Sequence, residues 1–128
     1  MLVFSDKKAY NFLVKEIVPG PDGEAAHPAR IIIKRGIPMY SFEDLVRITA
    51  ELRSGHGCPW DRKQTHESLK PCLKEESEEV FAAIDHQDME NLCEELGDVL
   101  FQVLIHSPIA EENGAFTVDD VVNGICEK

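Results

Sequence analysis

The stretch "KEESEEVFAAIDHQDMENLCEELGDVL", Lys74 to Leu100, decides the fold and raises the functional question with it. Two runs with apolar residues three and four apart flank the tight connection "DHQD" at residues 85–88, the pattern of two helices forced back to back. The same runs are crowded with acid. Glu75, Glu76, Glu78 and Glu79 stand in the first, Glu94, Glu95 and Asp98 in the second. Each of these carboxylates belongs either to a solvated helix face or to an interior that needs negative charge.

Advancing about 100° per residue separates the two cases. The first helix is expected over 71–85, with Pro71 at its first position. It places Leu69 (if it extends back that far), Leu73, Val80 and Ile84 on one stripe. Glu76 falls inside the stripe, flanked by Val80 and Ala83; Glu79 lies at its border and Glu75 just beyond. Glu78, Lys74 and Asp85 face the other way. The second helix is expected from Met89 to Asn113, capped by Asp88 and closed by Gly114. Leu92, Leu96, Val99 and Val103 form one apolar face, Cys93, Leu100 and Leu104 widen it, and Phe101 and Ile105 lie across from it. Between apolar flanks, Glu95, Asp98 and Gln102 form a narrow polar strip.

Exposed, such carboxylates would cost a few tenths of a kcal/mol per like-charge pair. Buried, two of them about 5 Å apart repel by roughly 3 kcal/mol at an effective dielectric of about 20. Desolvation adds several kcal/mol more per ion. A buried tetrad of Glu76, Glu79, Glu95 and Asp98 therefore requires cations or bound protons. No His or Cys set accompanies it, so the donors are all oxygen, which suits Mg²⁺ or Mn²⁺ rather than zinc. Ferritin-like di-iron bundles also oppose carboxylates, but they use Glu-x-x-His, and no His stands three residues after any of these Glu.

Outward from this hairpin, Ser41 and Asp44 make a capping box with Asp in place of the usual Glu or Gln. They open a helix with Phe42, Leu45, Val46, Thr49 and Leu52 on one face. "SGHGCPWD" breaks the chain and Thr65 caps a short turn. Thr117 with Asp120, and a Phe116–Val121 staple, start a last helix. Four helices with short links make an all-α, antiparallel four-helix-bundle-like domain over residues 41–128. Residues 1–40 form a separate N-terminal extension, with β-prone runs "LVF", "YNFLVKEIV" and "ARIIIKRGI" around the breaker-rich "PGPDGEAAHP".

Composition limits the partners. The chain has 128 residues, 24 acidic and 13 basic, and a net charge of -11. That balance argues against a nucleic-acid backbone or an anionic membrane surface as partner. It leaves phosphates reachable through a divalent cation. The four cysteines are far apart in sequence, Cys72 and Cys93 lie in helical patterns and read as packed thiols, and no N-terminal run is apolar enough for a signal peptide or membrane span. The chain reads as cytoplasmic.

"LRSGHGCPWDRKQTHESLKP", "KEESEEV", "EELGDVLFQVL" and "IAEENGAFTVDDVV", in that order, resemble the MazG-type nucleoside triphosphate pyrophosphohydrolases of the all-α NTP pyrophosphatase superfamily. The family pattern E-E-x-x-E followed by E-x-x-D lands on Glu75, Glu76, Glu79, Glu95 and Asp98. The resemblance implies those five as metal ligands and Mg²⁺-dependent cleavage of NTPs or dNTPs to monophosphate and pyrophosphate. It also implies a homodimer or higher assembly with sites between protomers. Glu76 or Glu79 is expected to be the general base. Trp60 either stacks on a base or anchors its loop by packing. Arg62, Lys63 and Lys70 are candidate phosphate contacts, with Lys74 on the solvent side. The resemblance further implies a basic stretch beyond Lys128 that contributes to nucleotide binding, so the domain is expected to be truncated. Pro108 is expected to kink a helix that relatives run straight through. The competing reading is a non-catalytic dimerising helical module that binds a nucleotide or a partner.

Overall fold

The computed structural model describes residues 39–128, and among these the protein is all-α with five helices. The β-prone runs of the N-terminal extension lie outside the described residues. Helix α1, Phe42–Leu52, begins with the expected capping box: the Ser41 hydroxyl accepts from the Asp44 N–H, and the Asp44 side chain accepts from the Ser41 N–H. Its buried residues are Ile48, Thr49 and Leu52, while Phe42 is 45% exposed, so the buried face is turned toward Ile48.

The break after α1 is more structured than its breakers suggest. Residues Pro59–Arg62 form a single helical turn, α2, with Pro59 supplying the fixed φ of a helix start. Gly57 is required here, because a Cβ would lie 2.1 Å from the Glu51 carbonyl oxygen and 2.4 Å from that of Leu52.

Helix α3 is His66–Asp85, a turn and a half longer than expected. Thr65 caps this long helix and not a separate short turn: its hydroxyl accepts from the Ser68 N–H, and the Ser68 hydroxyl accepts from the Thr65 N–H. The reciprocal cap outweighs Pro71, which sits inside the helix and leaves only the Glu67 carbonyl without its partner. At its other end the Asp88 N–H reaches the Ala83 carbonyl and the Gln87 N–H that of Ile84. This closure needs a left-handed residue, and Gln87 supplies it at φ 57°. Asp88 then caps α4, Met89–Glu112, by accepting from the Asn91 N–H. Helix α4 continues through Pro108, where the kink was expected, with Ile109 and Ala110 buried beyond it. Gly114, at φ 68°, makes the same left-handed closure after α4. Helix α5, Val118–Cys126, opens with the Thr117–Asp120 box and buries none of its residues.

The antiparallel α3–α4 pair is the body of the domain, and α1 packs on α4. The core joins Leu52 of α1, Leu69 and Cys72 of α3, and Phe101, Ile105 and Ile109 of α4. Each fully buried aliphatic here contributes roughly 1.5–3 kcal/mol. Three sequence expectations are corrected. Phe101 and Ile105, read as lying across from the apolar face, are the core, whereas Leu96, Leu100 and Val103 are 51%, 37% and 41% exposed. Cys93, read as a packed thiol, is exposed, as is Ile84.

Candidate metal centre

Where α3 and α4 run side by side, Glu76, Glu95 and Asp98 converge, one oxygen from each lying within 4.8 Å of the others. The local reasons differ between the helices. On α3 the buried residues are Leu69, Cys72, Val80 and Ala83, and their spacing leaves Glu76 in the middle of the inward stripe. On α4 the usual arrangement is reversed. Glu95 and Asp98 share the core side with Phe101 and Ile105, while Leu96, Leu100 and Val103 face outward. An amphipathic helix that served only the fold would do the opposite.

All three carboxylates are half-buried. Burial holds the Glu76 carboxyl above its ordinary value, and the charges of Asp98, Glu95 and Glu75 push it further in that direction. The donor set is oxygen-only, anionic and partly desolvated, and it therefore fits a hard divalent cation. It lacks the nitrogen and sulfur donors typical of zinc.

The remaining expected site residues are distributed as follows. Glu75 is half-buried beside Glu76. Glu79, expected to look inward, is exposed and stands outside the group of three; one turn beyond Glu76 it has already rotated past the α3–α4 seam. Glu78 faces solvent as the helical wheel required, 3.7 Å from Lys74. Trp60 is half-buried in α2, while Arg62, Lys63 and Lys70 are exposed, and Arg62 donates to the Gly55 carbonyl at 3.1 Å. Glu76 is ten residues into α3 from His66, about 15 Å of helix rise, so α2 and its side chains sit well along the bundle from the carboxylates.

Three buried or half-buried polar features escaped the sequence reading. Arg53, only 7% exposed, donates to both Glu112 oxygens at 2.9 and 2.7 Å and to the carbonyls of Asp61 and Gln64 at 2.6 and 3.0 Å. It ties the 54–64 loop to the end of α4, and its hydrogen bonds hold the Glu112 carboxyl below its ordinary value. Asp61 is buried, and burial pushes its carboxyl up against the opposing effects of Cys58 and Arg53. His66 and His106 stack with their Nδ1 atoms 2.7 Å apart, and burial, then the His66 charge, keeps His106 below its ordinary value. Arg53 and Glu112 are 59 residues apart in sequence and His66 and His106 are 40 apart, where no local spacing could reveal the pairs.

Residues 64–128, just over half of the chain, match the MazG nucleotide pyrophosphohydrolase domain. The chain belongs to the MazG family. It is 58% identical over 87 residues to the nucleoside triphosphate pyrophosphohydrolase/pyrophosphatase MazG of Thermotoga maritima, covering 68% of this chain and 34% of that protein. It is 53% identical over 89 residues to the uncharacterized protein YabN of Bacillus subtilis, covering 70% of this chain and 18% of that one. The Escherichia coli K12 nucleoside triphosphate pyrophosphohydrolase is 40% identical over 91 residues, 70% of this chain and 35% of its own length. The MazG domain here thus spans about a third or less of these relatives. Among the described residues no helix is long and apolar enough to cross a membrane.

Proposed function

We propose that residues 41–128 form a MazG pyrophosphohydrolase domain that cleaves NTPs or dNTPs to the monophosphate and pyrophosphate with the help of Mg²⁺, or of Mn²⁺ in its place. The observation that carries this reading is the convergence of Glu76, Glu95 and Asp98 on the core side of two antiparallel helices. Left to themselves, three half-buried carboxylates within 4.8 Å oppose folding, so their placement answers to a cation. The names of the Thermotoga and Escherichia relatives support the substrate class.

Glu76, Glu95 and Asp98 would hold the metal, with Glu75 adding negative charge beside them. When bound, the cation would offset phosphate charge and make a water more acidic. The chain's own contribution is positional. Glu76 comes from one helix and Glu95 with Asp98 from the other, so the α3–α4 packing that buries Leu69 and Ile105 also sets the gap between the ligands. Glu79 is exposed and outside the ligand group, which leaves it able to take the proton from the attacking water as general base. That water oxygen would bond to the α-phosphorus as the α–β anhydride bond breaks, pyrophosphate carrying away the electron pair. Arg62, Lys63 and Lys70 are left as contacts to the outer phosphates, and Trp60 as a stacking surface at the α2 end, in the same chain or across an assembly.

The outward stripe of Leu96, Leu100 and Val103 supports a homodimer or higher assembly, because a second copy would cover apolar surface that one chain leaves in water. The test is pyrophosphate release from a panel of NTPs and dNTPs, with Mg²⁺ or EDTA, on the chain and on Asp98→Asn. Metal-dependent release that Asp98→Asn abolishes is the expected result. Metal binding without release would favour a non-catalytic binding module.

A further inference from the structure

Gln102 is 0% exposed, and among the described residues neither its Nε2 nor its Oε1 has a hydrogen-bond partner. Leaving a buried donor or acceptor unsatisfied opposes folding, because the group gives up its hydrogen bonds to water and gains none in return. For the fold alone, an apolar residue of similar volume would serve better.

Two contacts locate this side chain. One turn before it, Asp98 meets Glu76 of α3; one turn after it, His106 meets His66 of α3. Gln102 stands four residues from each and therefore lies on the same line of α4, the line that faces α3. Side chains four apart on a helix are neighbours, with Cβ atoms about 5–6 Å from one another, and a Gln–Asp pair at that spacing can hydrogen-bond. Among the described residues the other unpartnered buried side-chain atoms are Asp61 Oδ1 and Ser107 Oγ, of which one belongs to the short α2 and the other points from a different side of α4.

We propose that Gln102 is a positioning residue for the metal centre: its amide N–H fixes the Asp98 carboxylate when the centre takes up a divalent cation. This rests on the reading of Glu76, Glu95 and Asp98 as ligands. A carboxylate that holds a metal is itself held by hydrogen bonds from neighbouring groups, and loss of such a partner typically weakens metal binding by about 10- to 100-fold. On the α3-facing line of α4, Glu95 and Asp98 supply charge and Ile105 supplies packing. Among the described residues Gln102 is the one on that line with a fully buried, unpartnered donor.

The experiment is thermal melting of the wild-type chain, Gln102→Leu and Gln102→Met in EDTA and across a MgCl₂ titration. Met is unbranched like Gln and covers the case in which Leu cannot be accommodated. Both variants should melt at or above the wild-type temperature in EDTA, yet show an apparent Mg²⁺ affinity about 10- to 100-fold weaker. Wild-type Mg²⁺ affinity in a folded variant would overturn the role of Gln102 and leave the metal reading intact. Variants that melt lower in EDTA, or do not fold, would show a purely structural residue and overturn it as well. A wild-type chain whose melting ignores Mg²⁺ would overturn the metal reading, and this inference with it.

Discussion

Replacing Glu76 by Gln should make the metal-free protein more stable and the metal-loaded protein less so. The substitution keeps the side-chain volume and most of its hydrogen-bonding capacity, and it removes one charge from a group of three whose oxygens lie within 4.8 Å. At that separation each like-charge pair costs about 3 kcal/mol at an effective dielectric of about 20. Glu76, Glu95 and Asp98 are only half-buried, so solvent screening removes well over half of this. Two pairs relieved at about 0.5–1 kcal/mol each leave a net gain of about 1–2 kcal/mol. For a domain of this size that is a rise of about 4–8 °C per kcal/mol in melting temperature. In Mg²⁺ the order should invert, because a ligand present at about 100 times its Kd adds roughly 2.7 kcal/mol to the protein that binds it.

The pH dependence has a definite sign. In the fold the Glu76 carboxyl titrates above its ordinary value of 4.5, through burial and through the neighbouring Asp98, Glu95 and Glu75 charges. The folded state therefore binds the proton more tightly than the unfolded chain does. The stability associated with this group is complete below about 4.5 and is lost as pH rises through the raised folded value. In EDTA the advantage of Glu76→Gln should be largest at neutral pH and should vanish on acidification toward 4.5. Differential scanning calorimetry of both proteins, with EDTA and with MgCl₂, reads all of this. A variant less stable than wild type in EDTA that still responds fully to Mg²⁺ would refute the clustered-carboxylate reasoning.

Arg53→Ala should destabilise the domain by about 2–4 kcal/mol in urea titration, since it strips the Asp61 and Gln64 carbonyls and Glu112 of one shared donor. Arg53→Lys should recover less than half, because an ammonium cannot reproduce the fork, and a loss below about 1 kcal/mol for the alanine would contradict the clamp. Gly57→Ala should cost at least about 1–3 kcal/mol, as the atoms its Cβ meets are backbone carbonyls of Glu51 and Leu52 that cannot rotate away. Glu78→Gln should change stability by no more than about 0.5 kcal/mol and leave pyrophosphate release unaltered. A large loss would mean that α3 is rotated. Leu100→Glu should lower the solution mass measured by light scattering to that of one chain, and an unchanged mass would place the interface elsewhere.

The helices and caps were legible because their signals are local. Ser41 with Asp44, Asp88 with Asn91, and Thr117 with Asp120 each close within one turn, and the structure uses all three. Helix α3 was misjudged because Pro71 is a strong stop signal on its own. The Thr65–Ser68 reciprocal cap, built from two hydroxyls, is a weak signal that prevails once Leu69 and Cys72 are buried behind it. The Arg53 clamp and the His66–His106 stack were invisible for a different reason: each joins residues that only the tertiary fold makes neighbours.

The site was half legible, and each of its two helices hid a different part of the rest. A stripe argument works best when a helix has a polar side and an apolar side, as α3 does; it placed Glu76 and Glu78 correctly, but at the border of the stripe it turned Glu79 inward, where the structure exposes it. Helix α4 is apolar on both sides around a narrow acidic strip, so periodicity found the strip of Glu95, Asp98 and Gln102 but could not say which flank was core. It chose Leu96 and Val103, and the fold chose Phe101 and Ile105. Yet the strip borders either flank, so the carboxylates reach α3 in the structure all the same. A helix with two apolar flanks needs two bodies to bury them. One is α3 with α1, which bury Phe101 and Ile105. The exposure of Leu96, Leu100 and Val103 is the other half of the same argument: in the proposed assembly a second chain would cover that stripe, beside the strip of Glu95 and Asp98.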